Sequence, residues 1–398
     1  MIEQALSGVR VIDLSRILAG PWCTQNLADL GAEVIKIERS GTGDDTRGWG
    51  PPFMTSLDGT DQMSAYFMCC NRNKKSVCLD FKLEADRQNL LSLLTSADVV
   101  VENYRVGTLK QYGLDYDSIR MINPSIVYLS ITGYGQDGPK ADRPGYDYIF
   151  QGLGGLMSYT GRADGEPGAG PLRAGVAVVD LTTGMYATSA VLAALYQRSR
   201  TGKGAYLDIA LLDVAVAMNA NQASNFLVSG SVPERTGNAH PNLAPYEVFQ
   251  ASDGYFILAV GNDAQFERLC QMIGQPDLAK DPKFCTNATR LTHLATLRSL
   301  LAPVWLNASR EYWGTQLQSQ GISWGTVNSL DEVFRDEQVV HREMFQTTHH
   351  PHYGEMPVVR NPMLSDPHSR QGQIHPAPQL GEHTEEVLGS ISLSSEPQ

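Results

Sequence analysis

Positive charge is scarce in this chain: its 398 residues carry 31 Lys and Arg against 43 Asp and Glu, a formal net charge of −12. Nucleic-acid binding draws on clustered cations, and none of the basic pairs extends into a patch, so no nucleic-acid partner is expected. No stretch approaches the roughly 20 apolar residues that a bilayer-spanning helix needs. The opening MIEQALSGVRVIDLS has no basic segment leading into a long apolar one. The expectation is a soluble, cytoplasmic protein without a membrane partner. The six cysteines (Cys23, Cys69, Cys70, Cys78, Cys270 and Cys285) show no CxxC spacing, and adjacent Cys69 and Cys70 suit neither a simple disulfide nor a zinc site. Reduced, mostly buried thiols and no metal are expected. Catalytic signatures are missing too: no GxGxxG follows a strand, and there is no GxxxxGK[ST] phosphate loop, no GxSxG elbow and no zinc-type His pair with a helical Glu. His349, His350 and His352 lie in a Pro-flanked segment that reads as solvated surface.

What the chain does have is length and alternation. Hydrophobic residues make up 42% and charged residues 19%, enough for large cores divided among two or three domains. Val9–Ser15, Glu33–Arg39, Ser76–Phe81, Asp98–Tyr104 and Ile126–Tyr134 read as strands, separated by helical patterns such as GPWCTQNLADLG and EADRQNLLSLLTSA. That alternation implies an α/β fold with a mostly parallel sheet covered by helices. A long helical pattern over Thr182–Ser199 follows. GSVPERTGNAHPNLAPY, rich in Gly, Pro and Asn, then marks a change of unit. Beyond it, strand, turn at Asp253–Gly254, strand and helix describe a smaller α+β unit. The expected division is a large domain over 1–205, a linker over 206–230, the small domain over 231–329, a return to the large domain over 330–388, and a disordered tail over 389–398.

The chemistry concentrates at VAVVDLTTGMYA, where Asp180 closes an apolar run and opens the long helix. One reading makes it an N-cap. The other makes it a nucleophile, kept ionised at neutral pH by backbone N–H groups and the helix dipole. In an open α/β sheet, ligands bind beyond the carboxyl ends of the strands, and Ser15–Pro21 lies at such a junction, with Arg16 nearby and Arg39 ending the next strand. A phosphate-bearing ligand fits there.

Motifs in one order along almost the whole chain carry a resemblance: LSGVRVIDLSRILAGPWCTQNLADLGAEVIKIERSGTGDDTRGWGPPF, NRNKKSVCLDFK, DVVVENYRVGTLKQYGL, SITGYGQDGP, RPGYD, GLMSYTG, VAVVDLTTGMYA, RTGKGAYLDIALLD and LGEHTEEVL. The sequence resembles the family III CoA-transferases, the formyl-CoA:oxalate and carnitine CoA-transferase type. The resemblance implies a Rossmann-like large domain built from both chain ends, a smaller inserted domain and two interlinked protomers in a homodimer. It places the nucleophile at Asp180, with CoA and acyl-CoA as substrates and no permanently bound cofactor. Attack on a thioester would store its energy in an aspartyl-acyl anhydride, which a small carboxylic acid and the returning thiolate then resolve. The family's CoA contacts fall on Ile17, Leu18 and Ala19, on Arg39, on Leu79 to Lys82, on Asn103 and Tyr104, and on Gly133 and Tyr134. Arg39 and Lys82 suit phosphates, and Tyr104 an apolar contact.

Departures narrow the acceptor. The formyl-CoA:oxalate enzymes carry His and Gln where this chain has Arg16 and Leu18, and their run of glycines is replaced by GNAHPNLAPY, which brings His240 forward as a site-lining candidate. GDDTRGWGPPF and NRNKKS look most like the succinyl-CoA:dicarboxylate branch. Arg47 and Arg173 are the candidates for an acceptor's second carboxylate. Two alternatives remain: an α-methylacyl-CoA racemase, whose His would fall in RPGYD where Tyr146 stands, and a CoA-binding protein without catalysis. Tyr is a poor base near pH 7, and Asp180 has no purpose in the second.

Overall fold

A computed structural model describes residues 4–363 and 374–394. Six apolar segments form β1 (Arg10–Asp13), β2 (Glu33–Glu38), β3 (Lys74–Cys78), β4 (Val99–Glu102), β5 (Val127–Thr132) and β6 (Ala205–Ala210). They make one sheet in the order β3-β2-β1-β4-β5-β6 with every pairing parallel. This is the doubly wound arrangement, in which the direction of winding reverses between β1 and β4 and leaves a crevice at their carboxyl ends. Alternate side chains serve opposite faces. Val11, Val99, Val101, Val127 and Leu129 join one core, while Ile12, Val100 and Tyr128 join the other.

The first core is roofed by α1 (Ala19–Asp29) and α3 (Val178–Thr201), with α2 (Asp147–Leu153) and α4 (Leu211–Ala217) beside them. Buried Val179, Thr183, Ala187, Val191 and Ala194 form one stripe of α3 at helical spacing. A Cβ at Gly184 would stand 2.8 Å from the Ala19 carbonyl oxygen and 3.0 Å from the Trp22 side chain, so glycine sets how closely α3 approaches α1. By length and composition α3 could cross a membrane. The expectation of no such segment missed it because its apolarity is diluted by small residues and Thr; here that stripe lies on the core.

The chain divides into two compact units, one comprising 1–154, 174–219 and 336–398, the other 155–173 and 220–335. In the second, Tyr246–Ala251, Gly254–Ala259 and Ser323–Thr326 form an antiparallel sheet. Phe249, Phe256, Leu301 and Trp305 fill its core. Four expectations need correction. Residues 206–230 are no linker: β6 extends to Ala210 and pairs with β5, α4 follows, and Ala220–Ser229 is a helix. The tail is helical over part of its span, since Thr384–Ser394 forms a helix; residues 395–398 lie outside the described residues. His350 is buried rather than solvated, its ring against Tyr353 at 5.0 Å. Of the free cysteines, Cys23, Cys70 and Cys270 are buried, Cys78 is half-buried, and Cys69 and Cys285 are exposed.

Candidate active site

Three loops converge beyond the carboxyl ends of the central strands: Arg16–Ala19 after β1, Asn103–Val106 after β4, and Gly133 after β5. The first is held from several sides. Asn103 accepts the Arg16 N–H at 2.9 Å and donates to the Arg16 carbonyl at 2.7 Å. The Asp44 carboxylate accepts the Ile17 N–H at 3.2 Å, and Lys36 donates to the Ser15 carbonyl at 2.8 Å. Lys36 also pairs with Asp44 at 2.8 Å, both fully buried, and Lys74 pairs with buried Asp13 at 3.1 Å. Burial alone would raise the Asp13 pKa, but Lys74 and Lys36, with Ser15 and Thr24 donating, hold it at about 2. This ionic lattice keeps Ile17 at φ +73°, a conformation β-branched residues rarely adopt.

Asp180 lies in the first turn of α3, beyond the cap position. The helix begins at Val178 with Ala177 in the cap position and no side-chain cap of its own. Asp147, the last residue of RPGYD, supplies the cap from α2: its Oδ1 accepts the N–H of Val179 at 2.7 Å and of Asp180 at 3.1 Å. Gln151 donates to Asp147 Oδ2 at 2.6 Å and accepts the Ala174 N–H at 2.9 Å, tying the approach to α3 onto α2. The expectation that Asp180 stays fully ionised is therefore corrected. Burial first, and the Asp147 charge second, raise its pKa to about 7. The amides that would have stabilised its carboxylate are spent on its neighbour.

Asp180 lines a cavity of about 210 Å³ together with Arg16, Ile17, Leu18, Ala19, Asn103, Tyr104, Gly133, Arg143 and Tyr146. A second cavity of about 540 Å³ shares Arg16 and Tyr104 with it and is lined by Arg39, Leu79 and Lys82. The structure thus gathers nine of the ten expected CoA contacts around two adjoining cavities. Tyr134 is the exception: it packs edge-on against Phe150 at 5.1 Å and lines neither. Arg39 and Lys82 have no side-chain partner among the described residues, which leaves both charges available to an anion. Arg16 lies 5.5 Å from the Tyr104 ring centre, and Tyr104 meets Phe81 edge-on at 5.7 Å, a shelf between the cavities. Asn103 has spent both ends of its amide on the Arg16 backbone, so it shapes the wall.

Arg47 is corrected as a substrate candidate: its guanidinium binds Glu38 at 2.7 and 2.8 Å, donates to the Pro378 carbonyl, and lies 3.7 Å from the Phe67 ring centre. Its charge is committed to a structural pair. Arg173 and His240 belong to the second unit, where His240 stacks on Tyr246 at 5.0 Å and its Nδ1 accepts the Asn242 N–H at 3.0 Å. Sequence reasoning missed Asp147 and Arg143. In the sequence RPGYD offers Tyr146 as its candidate, and only the fold shows that Arg143 lines this cavity while Asp147 caps the helix carrying Asp180.

Residues 6–384 match the family described as CoA-transferase family III. The chain is 45% identical to the succinate–glutarate CoA-transferase of Agrobacterium fabrum, over 97% of this chain and 95% of that one. It is 39% identical to the succinyl-CoA:glutarate CoA-transferase of Homo sapiens, over 97% of this chain and 86% of the relative. Among solved structures, a CAIB/BAIF family protein from Brucella suis superimposes with a TM-score of 0.84 at 43% identity, covering 97% of this chain and 99% of that one.

Proposed function

The chain belongs to CoA-transferase family III, and from that footing we propose that it moves CoA from succinyl-CoA to a small dicarboxylic acid through covalent catalysis by Asp180. A carboxylate oxygen of Asp180 attacks the thioester carbonyl, a C–O bond forms, the C–S bond breaks, and CoA leaves as thiolate. The product at the enzyme is an acyl-aspartyl anhydride. The thiolate then attacks the Asp180 carbonyl of the anhydride, releasing succinate and leaving an aspartyl-CoA thioester. The acceptor carboxylate attacks that thioester, releasing thiolate and forming a second anhydride. The thiolate attacks the acceptor's acyl carbon, giving the new CoA ester and returning the Asp180 carboxylate. No net hydrolysis occurs if water is kept from the anhydride.

The observation that carries this reading is the placement of Asp180 in a cavity at the switch point of the sheet, next to a second cavity holding two uncommitted cations. Burial favours the neutral acid before substrate arrives and the uncharged anhydride afterwards. Arg39 and Lys82 take the phosphates, and the Tyr104 shelf guides the pantetheine arm toward Asp180. The dicarboxylate rests on the names of the relatives. Racemisation is the weaker reading, because Tyr146 stands in this cavity where a His would be needed as base. The test is transfer from succinyl-CoA to glutarate by the purified chain. Wild type is expected to form glutaryl-CoA, and Asp180→Asn to lose at least a thousandfold in rate while still binding CoA. Near-normal turnover by that variant would refute the covalent role.

A further inference from the structure

The Asp180 cavity is walled by several cations, and only one of them is unspent. Arg16 pairs with Asp45 at 2.8 Å and lies over Tyr104. Arg105 donates to the Asp142 carbonyl at 3.0 Å. Arg143 lines the same cavity, and no side chain or carbonyl among the described residues receives its guanidinium. Its backbone is nonetheless fixed: the Arg143 N–H bonds to the Lys140 carbonyl at 3.0 Å, and Pro144 restricts it from the other side. Four residues later Asp147 anchors the start of the helix that carries Asp180. The segment holding the free cation and the segment holding the nucleophile are thus tied together through Asp147.

The uncommitted cations divide by cavity. Arg39 and Lys82 face the larger one, as CoA phosphates require, while Arg143 faces the smaller one, where the acyl group must lie to meet Asp180. A diacid bound with one carboxyl at Asp180 has a second, ionised carboxyl to place in this cavity. Left unpaired there, it would carry a desolvation cost, and a guanidinium removes that cost with two parallel charge-assisted hydrogen bonds. We propose that Arg143 is the specificity-determining residue that grips the remote carboxylate of the dicarboxylic acid, and of its CoA ester. This rests on the reading of Asp180 as the site of acyl transfer.

The experiment compares wild type, Arg143→Met and Arg143→Lys as full chains. Transfer from succinyl-CoA to glutarate is set against pentanoate of equal chain length, as substrate or as competitive inhibitor, with the dissociation constant of free CoA measured beside them. At saturating succinyl-CoA, whose own KM rises as well, Arg143→Met is expected to raise the KM for glutarate roughly tenfold to a hundredfold, with the constants for pentanoate and free CoA changing less than twofold. Arg143→Lys is expected to recover part of the loss, because it keeps the charge without the planar fork. An unchanged ratio between glutarate and pentanoate would overturn the proposal, as would weakening of free CoA by the same factor, which would assign Arg143 to the nucleotide. Failure of the underlying reading is distinguishable. In that case wild type would transfer CoA to neither acid, whereas failure of this inference alone leaves transfer intact and the ratio unmoved.

Discussion

Asp180 reaches its raised pKa by two routes, and mutation separates them. Burial is the larger cause and Asp147 the smaller. The attacking species is the carboxylate, so kcat/KM, which reports the free enzyme, is expected to rise with pH along a limb centred near 7. Asp147→Asn keeps an oxygen for the Val179 and Asp180 N–H groups and removes the neighbouring charge. The limb is then expected to move to lower pH while staying above the ordinary carboxylate range, because burial remains. A limb that does not move would show that Asp147 acts only as a cap. The same shift has a signed effect on stability. A carboxyl whose pKa rises from 3.8 to about 7 on folding binds more protons in the native state, so the fold loses stability as pH rises through that window. Asp180→Asn removes this loss. Its advantage in thermal midpoint over wild type is expected to be small near pH 4 and to grow until above pH 7.

The contact between α1 and α3 carries the end of the Arg16–Ala19 loop and the base of Asp180 on adjacent helices. Gly184→Ala would push a methyl against the Ala19 carbonyl, a backbone atom that cannot swing aside. The change is expected to cost about 1–3 kcal/mol and to lower the thermal midpoint, a direction calorimetry can check. If the variant were as stable as wild type, this packing would not be what limits the approach of the helices. Elements of this kind were readable in the sequence to differing degrees. The five early strands were visible from their apolar content, although Lys36 interrupts β2 and Lys74 and Lys75 open β3. β6 was not seen as part of the sheet, because YLDIA interleaves exposed and half-buried residues at a sheet edge. Local rules look only at adjacent residues, so the sequence offers Asp180 as one reading of the α3 cap. The actual cap, Asp147, lies 33 positions earlier and is brought there by α2. Arg47 and Arg143 are alike in sequence, and only folding shows that Glu38 has claimed one and left the other.

On the scale of the whole chain, much apolar surface stays in water. Tyr148, Ile149 and Leu153 of α2, and Met185, Tyr186 and Tyr196 of α3, are all about half exposed or more. These exposed side chains on two helices fit the proposal of a homodimer, for which the protein is expected to sediment at twice its chain mass of 43.5 kDa. A monomer at micromolar concentration would count against it. The central claim is that Asp180 becomes acylated during transfer, and trapping that acyl group tests it most directly. The chain is incubated with succinyl-CoA and hydroxylamine without acceptor, digested, and its peptides sequenced by mass spectrometry. The expected result is a hydroxamate on Asp180 that requires succinyl-CoA and is absent from Asp180→Asn. An unmodified Asp180 in a preparation that transfers CoA once glutarate replaces hydroxylamine, or a hydroxamate on a different carboxyl, would contradict the account.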